Sequence, residues 1–499
     1  MPTAPEGQYE HIVRGQLTAD VEDELHQVEH AQLKTHGVTF VATPPASSLK
    51  LVAFIQTSNV AQRVISGVVL GSAVTVYLAL GPKSAPIYLC SFVVSIANYE
   101  YAWLAHRIAH RFTSAVAEDC LDGCAVRPLD TISSAVTPIA CGYPRLMAGF
   151  LASVVSASCT LATLYLNSHA WHYRDSYSTA PDGSHVPYVV IDLFLFVIFS
   201  TWLTVFCALL TPTAACMRNV VMQQLAYCLV TVTHYFCGTY DNACYVPIET
   251  SHGRWLAIVL ILFNRLPLFR RVAPEVAVDS FVRIILDTIG FSYIVLLMQP
   301  IADLLLEVDG APRIALGFLA VVWGTDTGAY IMGHVLKHMQ YPRLHSLAKH
   351  ISPNKDIEGS LGGVALGVGA IILVDALMEL PVDLTPEIVK LQRIHRLLFA
   401  VVGGLLSRYG DLFASLLKRL AGVKDTGTLI PGHGGLLDRI DAMLFVGAVF
   451  ALYHRCAFAP YYDRLMDAHY DNNLAEVASM YSRLTSAGIP MINSTFPAS

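Results

Sequence analysis

Charge is what this sequence has least of. Lys, Arg, Asp and Glu make up 14% of its 499 residues, against about 25% in an ordinary soluble domain. So little charge cannot cover the surface of a chain this long, so part of that surface has to face something apolar. The net charge is −6. No stretch carries the basic excess or the motifs of nucleic-acid recognition, which excludes DNA and RNA as partners. The opening 60 residues lack a basic segment followed by an apolar one. A cleavable signal peptide is therefore not expected, and the first spanning helix has to direct membrane entry. No internal repeat is visible.

The eleven cysteines are scattered. Cys159, Cys207 and Cys228 lie inside apolar runs, where cysteine acts as a small buried hydrophobe. Cys120 and Cys124 share a polar loop, with no second Cys or His pair at zinc spacing. His106 and His110 are four apart, but no Glu stands between them as in a zinc-protease helix. They read as an interfacial pair facing lipid headgroups.

What the chain has in excess is apolar residues, 54% of the total, with a mean hydropathy of +0.51. A spanning helix needs about 20 such residues in a row. Candidate spans fall at 64–82, 86–104, 146–166, 187–210, 216–236, 254–268, 281–302, 314–335, 360–382, 396–414 and 440–459, the sixth being short. The expected fold is all-α, a polytopic integral membrane protein with ten or eleven transmembrane helices, because lipid offers no partner to unpaired backbone groups. Four regions follow: a polar cytoplasmic N-terminal tail at 1–62, a transmembrane region at 63–250, a second at 251–460, and a polar tail at 461–499.

Arg107, Arg111, Arg127 and Arg145 cluster in or beside the polar stretch 105–143, and Lys337, Arg343, Lys349 and Lys355 in 336–358. The positive-inside rule places both in the cytoplasm. Eleven spans counted from a cytoplasmic N-terminus agree, and they bring 415–439 to the same side. The count also leaves a loop at 383–396, with Lys390, Arg393 and Arg396, on the far side, against the rule.

Chemistry concentrates at 410–441, GDLFASLLKRLAGVKDTGTLIPGHGGLLDRID. Asp411, Ser415 and Lys418 share one helix face. Arg419, Lys424 and Asp425 follow. Gly427, Pro431, Gly432, Gly434 and Gly435 then break the helix and allow a ligand close to the backbone. Asp438 and Asp441 share a face as the last span begins. Hard oxygen donors beside cations suit magnesium and a polyphosphate. Charges that merely flank two spans would explain the Arg and Lys, but not a glycine turn holding His433 between two acidic clusters.

A second signal is WGTDTGAYIMG at 323–333, where Asp326 stands midway along an apolar span. A carboxylate at that depth is a functional candidate by default, with a structural cap on a broken helix as the alternative. Asp287 and Asp375 also lie within spans. They have no motif around them, so they read at least equally well as structural. A third signal is SPNKDIEGSLGG at 352–363: Lys355 is a candidate phosphate contact, and Glu358 precedes small residues that permit close helix packing.

These segments resemble the phosphatidate cytidylyltransferase (CDP-diacylglycerol synthase) family. Ser415, Lys418, Arg419, Lys424, Asp425, His433, Gly434, Gly435, Asp438, Arg439 and Asp441 fill every fixed position of its signature, S-x-x-K-R, four residues, K-D, then H-G-G-x-x-D-R-x-D. Asp326 to Tyr330 is similar to its D-T-G-A-Y stretch, and Ser352 to Gly359 to its S-P-x-K-T-W-E-G loop. Two departures occur in that loop: Asp356 stands for the usual Thr and Ile357 for the frequent Trp. Asp356 adds a negative charge beside a proposed triphosphate. RVISGVVL from Arg63 and NYEYAWL from Asn98 look like the family's opening spans, whereas 105–250 diverges.

The resemblance implies that CTP and phosphatidate give CDP-diacylglycerol and diphosphate. It also implies Mg²⁺, held by Asp411, Asp438 and Asp441, with a second, monovalent cation as an option. Lys355, Lys418, Arg419 and Lys424 would hold phosphates, with His433 and Arg439 as further substrate contacts. Asp326 and Asp425 would orient cations or join the metal, and with Lys355, Ser415 and Lys418 they form the catalytic set. Partners are then CTP, phosphatidate and membrane lipids, with a homodimer as an option. The host membrane is the endoplasmic reticulum in a eukaryote or the inner membrane in a bacterium, with the site cytoplasmic. Two rivals remain: a CTP-dependent polyprenol or dolichol kinase, which would lack the complete signature, and an ion-coupled transporter, which would show paired broken helices in two repeated halves.

Single cysteines at His345, Thr428 and Thr485, in a cysteine-free background, test the topology in sealed vesicles. An impermeant thiol reagent is expected to reach the first two from one side and the third from the other. Labelling of His345Cys and Thr428Cys from opposite sides would exclude a shared site.

Overall fold

The computed structural model describes residues 69–77, 80, 81, 84–120, 133–174, 186–232, 250–266, 274–307, 311–341, 345–377, 386–427, 429 and 434–455. Both polar tails and His433 lie outside the described residues. The described elements are α1 (Ala85–Cys120), a 3-10 turn (Thr137–Ile139), α2 (Pro144–Arg174), α3 (Val186–Leu209), α4 (Ala214–Val232), α5 (Thr250–Arg265), α6 (Pro274–Gly290), a π-helical turn (Phe291–Leu296), α7 (Leu297–Glu307), α8 (Ala311–His338), β1 (Ser346–Ala348), β2 (Ser352–Asp356), α9 (Ile357–Leu377), α10 (Pro386–Ala421) and α11 (Leu437–Tyr453). The architecture is helical, apart from one two-stranded antiparallel hairpin that pairs Ser346 with Asp356 and Ala348 with Ser352.

Among the described residues, five helical stretches are long and apolar enough to cross a membrane: Pro144–Tyr165, Asp192–Leu209, Val276–Leu305, Ile357–Leu377 and Arg393–Ala421. This is fewer than the ten or eleven expected. α5 and α11 fall short on length, at 16 and 17 residues. The outward surface is apolar, with Phe150, Leu161, Trp255 and Leu373 all exposed. In water such a surface would cost heavily; in lipid it does not.

Two boundaries differ from expectation. α1 runs 36 residues, about 54 Å at 1.5 Å per residue, and so continues through Arg107 and Arg111 into the stretch expected to be a loop. No Gly or Pro interrupts 101–120. α10 likewise starts at Pro386, so the loop expected at 383–396 is mostly helix. Proline is well suited to the first turn, where its missing N–H leaves nothing unpaired. Arg396 then lies on α10, with its guanidinium 2.5 Å from Asp375 of α9.

α11 packs against α1, α7, α8 and α10. Its Leu437, Leu444, Val446 and Phe450 are buried in one core with Ile301 of α7, Val321 of α8 and Leu417 of α10. α8 and α9 make the closest approach. A Cβ on Gly328 would lie 3.0 Å from the Gly363 Cα, and one on Gly324 would lie 2.9 Å from the Gly367 Cα. Without Cβ atoms the two backbones come together, as small-residue faces allow in membranes. The π turn comes just before Pro300 of α7, whose absent N–H already disturbs the helical ladder.

Asp287 of α6 has a structural role. Arg265 of α5 reaches its two carboxylate oxygens at 2.6 and 3.3 Å, and both side chains are almost fully buried. Removing one partner of such a pair strands a buried charge, at a cost of about 3–5 kcal/mol, whereas replacing both with apolar groups can be neutral. Arg265→Met alone should therefore lower the thermal midpoint in detergent substantially. The double variant Arg265→Met/Asp287→Leu should recover most of it. Equal loss in both would contradict the structural assignment.

Candidate active site

Lys355 lies on β2, and the hairpin carries it to the side of α10. Its Nζ is 2.6 Å from Asp411 Oδ2 and 3.5 Å from Ser415 Oγ. The third motif therefore meets the first. Asp411 and Ser415 are one turn apart on α10, as their spacing requires. Lys418, one turn further, points instead to α11, with Nζ 2.7 Å from Asp438 Oδ1.

Asp438 stands in the first turn of α11, where a carboxylate suits the helix dipole. Its Oδ2 accepts from Thr426 N at 2.8 Å, Thr426 Oγ1 at 3.0 Å and Gly435 N at 3.1 Å. Gly434 makes the turn possible: its φ is +81°, and a Cβ there would come within 3.0 Å of Asp438 Oδ2. Asp441 is buried one turn on. Its Oδ1 accepts from Ala442 N at 2.7 Å, and among the described residues no cation forms an ion pair with it. Asp411 and Lys418 are its charged neighbours.

Asp326 of α8 joins through Arg408 of α10. The guanidinium sits 3.6 Å from Asp326 Oδ1 and 3.9 Å from Asp411 Oδ2, and donates to the Thr325 carbonyl at 2.8 Å. Lys355, Asp411, Ser415, Lys418, Asp438, Asp441 and Asp326 are thus gathered from β2, α8, α10 and α11. Arg419, Lys424, Asp425 and Arg439 lie at the exposed edge, and Arg419 Nε donates to the Ile351 carbonyl at 3.4 Å.

Asp356 proves not to face the site as an extra free charge. Its Oδ1 accepts from Gly359 N at 2.6 Å, capping α9. Asp and Thr both serve at that position, so the departure from the family loop keeps the local structure. Glu358 closes the hairpin base instead, 2.6 Å from His345 Nδ1. His106 turns inward rather than to headgroups, its Nδ1 lying 3.3 Å from Arg283 of α6.

Three residues near the site were not among the candidates read from the sequence, although Glu100 lies in the NYEYAWL segment. Arg408 is buried among apolar residues and could have been suspected from its depth, three residues before Asp411. Tyr293 is buried in the π turn with its hydroxyl lacking a hydrogen-bond partner, and it feels the charges of Asp441, Asp438 and Asp411. Glu100 of α1 accepts from Leu436 N at 2.9 Å, Leu437 N at 2.8 Å and Thr426 Oγ1 at 3.1 Å.

Comparison with known proteins identifies the family. The sequence model of the Cytidylyltransferase family matches residues 183–457, more than half of the 499, and the chain belongs to that family. It is 44% identical over 139 residues to a phosphatidate cytidylyltransferase of Staphylococcus epidermidis, covering 28% of this chain and 47% of the relative. The phosphatidate cytidylyltransferase of Bacillus subtilis is 38% identical over 127 residues, covering 25% and 41%. That of Staphylococcus aureus is 40% identical over 139 residues, covering 28% and 47%. The chain spans about half the length of the curated relatives it matches.

Lys418→Ala should lower kcat/KM for nucleotide transfer by roughly 10²-fold, as loss of a charge-stabilising group in a water-poor site does. Lys390→Ala, on the exposed face of the same helix, should leave it unchanged. Comparable kinetics for the two variants would remove Lys418 from the site.

Proposed function

We propose that this protein transfers the cytidylyl group of CTP to phosphatidate, forming CDP-diacylglycerol and diphosphate. The observation that carries the reading is the pair of lysine–carboxylate contacts, Lys355 with Asp411 and Lys418 with Asp438, built by the motifs this chain shares with its family. The names of the bacterial relatives point to the same substrates.

A lipid phosphate oxygen attacks the α-phosphorus of CTP, the α–β bridging bond breaks, and its electrons leave with diphosphate. Phosphatidate is already an anion near neutral pH, so no protein nucleophile is needed and catalysis rests on placement and charge neutralisation. Lys355 and Lys418 each hold a carboxylate at rest. An arriving phosphate competes for the same ammonium group and frees the carboxylate. Ser415, within reach of Lys355, orients that ammonium. Arg419, Lys424 and Arg439, at the exposed edge, receive the outer phosphates, with His433 as a further donor, while Asp425 orients the lysines beside it. Arg408 keeps Asp326 and Asp411 from repelling one another.

A divalent cation fits this donor set. Asp441 is a buried carboxyl group without an ion pair among the described residues, with Asp411 and Lys418 among its charged neighbours, and Asp438 stands three residues before it on α11. No three His, Cys, Asp or Glu side chains among the described residues gather closely enough to hold a metal alone. Mg²⁺ is commonly bound by one or two carboxylates together with substrate phosphates. One or two of Asp411, Asp438 and Asp441 would hold it with the nucleotide, and it would neutralise the triphosphate. Ten or eleven spans, with the site on the cytoplasmic side where CTP is available, complete the reading.

Purified protein incubated in parallel with CTP labelled in the base and CTP labelled at the γ-phosphate is expected to carry the base label to phosphatidate and neither label to a polyprenol. Transfer of phosphate alone to a polyprenol would favour the kinase reading, and no transfer to either lipid would sink both. Asp438→Asn should abolish turnover at saturating Mg²⁺ while the protein still elutes as a folded species in detergent. Undiminished turnover in that variant would refute the role given to Asp438.

A further inference from the structure

We infer that Glu100 of α1 is a positioning residue for this reaction, clamping the turn before α11 so that Asp438 is held in place beside Lys418. The inference rests on the reading above, and it extends the site to a helix that precedes the matched residues 183–457.

Glu100 is 3% exposed, and a carboxylate is not buried at that depth without donors to satisfy it. It has three, all from the segment between α10 and α11: the N–H groups of Leu436 and Leu437 and the hydroxyl of Thr426. The two N–H groups belong to the start of α11, where helical donors have no partner within the helix. The Thr426 hydroxyl stands 3.1 Å from Glu100 Oε2 and 3.0 Å from Asp438 Oδ2. Its single hydrogen serves one carboxylate at a time, so the state of Glu100 decides what Asp438 receives. Glycine gives the clamp its room: a Cβ on Gly427 would stand 2.8 Å from Glu100 Oε1, and one on Gly435 would collide with Glu100 and Thr426.

α1 also holds the other end of this segment. Arg111, eleven residues on and therefore on the same helix face, donates to the carbonyls of Arg419 and Leu420 at 3.4 Å each. The segment that carries Lys424 and Asp425 is thus pinned to α1 where it leaves α10 and again where it enters α11. Loss of the Glu100 clamp should disturb the geometry of Asp438 more than the binding of CTP.

The test uses the full chain in detergent, with Glu100→Gln, Glu100→Asp and Thr426→Val. Glutamine keeps the shape but turns an N–H₂ toward groups that are themselves donors. The expected result for Glu100→Gln is a kcat lower by about 30-fold or more with KM for CTP within about threefold, as for loss of preorganisation rather than of binding. Trypsin should cut after Lys424 several times faster, read by mass spectrometry, while the thermal midpoint shifts by only a few degrees. Glu100→Asp should restore part of both properties. Thr426→Val combined with Glu100→Gln should be less than additive, because both act on one hydrogen-bond system. Wild-type kcat in Glu100→Gln, or lost turnover with unchanged cleavage after Lys424, would overturn the inference. If the wild-type chain transfers no cytidylyl group, the functional reading fails by itself. The cleavage comparison then still decides the clamp, faster cleavage supporting it and unchanged cleavage refuting it. Should Glu100→Gln fail to fold, Glu100→Asp and Thr426→Val carry the same readouts.

Discussion

Charge taken into an apolar bundle has to be answered by opposite charge, and much of this structure follows from that requirement. Taking a lone ion out of water costs several kcal/mol even after relaxation. Among the described residues, four lysine– or arginine–carboxylate contacts shorter than 3 Å span separate elements: Arg265 with Asp287, Arg396 with Asp375, Lys355 with Asp411, and Lys418 with Asp438. They divide by cation. The two arginine pairs lie away from the motifs, and the one between Arg265 and Asp287 uses both carboxylate oxygens. A guanidinium fork fits a carboxylate and keeps its charge, which suits a permanent joint. The two lysine pairs lie in the site. An ammonium is a compact charge on a flexible stem, and it can turn from a carboxylate to a phosphate without dismantling anything else.

Much of the site was legible because its chemistry is local. Asp411, Ser415 and Lys418 could be placed on one face by counting along α10, and the glycines announced the turn that Asp438 needs. Asp287 and Asp375 lacked motifs, and each proves to be answered by an arginine. What could not be read is what depends on distant chain. Glu100 and Thr426 are 326 residues apart, and no periodicity links them. The inward turn of His106 depends on Arg283, 177 residues away. Helix ends were misplaced for a different reason. Hydropathy marks where lipid ends, but α1 continues past that point because nothing in 101–120 breaks a helix.

The loop with Asp356 shows how a family pattern can change while its physical requirement stays. The position demands a side-chain oxygen that accepts from Gly359 N at the start of α9, and either Thr or Asp meets that demand. Read only as a charge, Asp356 looks hostile to a triphosphate. In place, its carboxylate is occupied by a helix terminus, whose dipole favours negative charge. The cation that matters, Lys355, then leaves the strand one residue earlier and reaches Asp411.

At rest each lysine of the site is paired with a carboxylate, and under the proposed function that bears on how a highly charged nucleotide would be accepted beside an apolar phase. Cations held only for phosphate would be costly while the site is empty. In the proposed function each lysine would keep a carboxylate until a phosphate displaced it. The displaced carboxylates would stand beside Asp441, which lacks an ion pair among the described residues, and phosphate binding would leave a local excess of oxygen donors. That excess would favour a divalent cation arriving with the nucleotide over one bound beforehand. The same exchange demands that the carboxylates stay in place when their lysines leave. For Asp438 the holding groups are the Thr426 and Gly435 donors, and their own placement depends on α1.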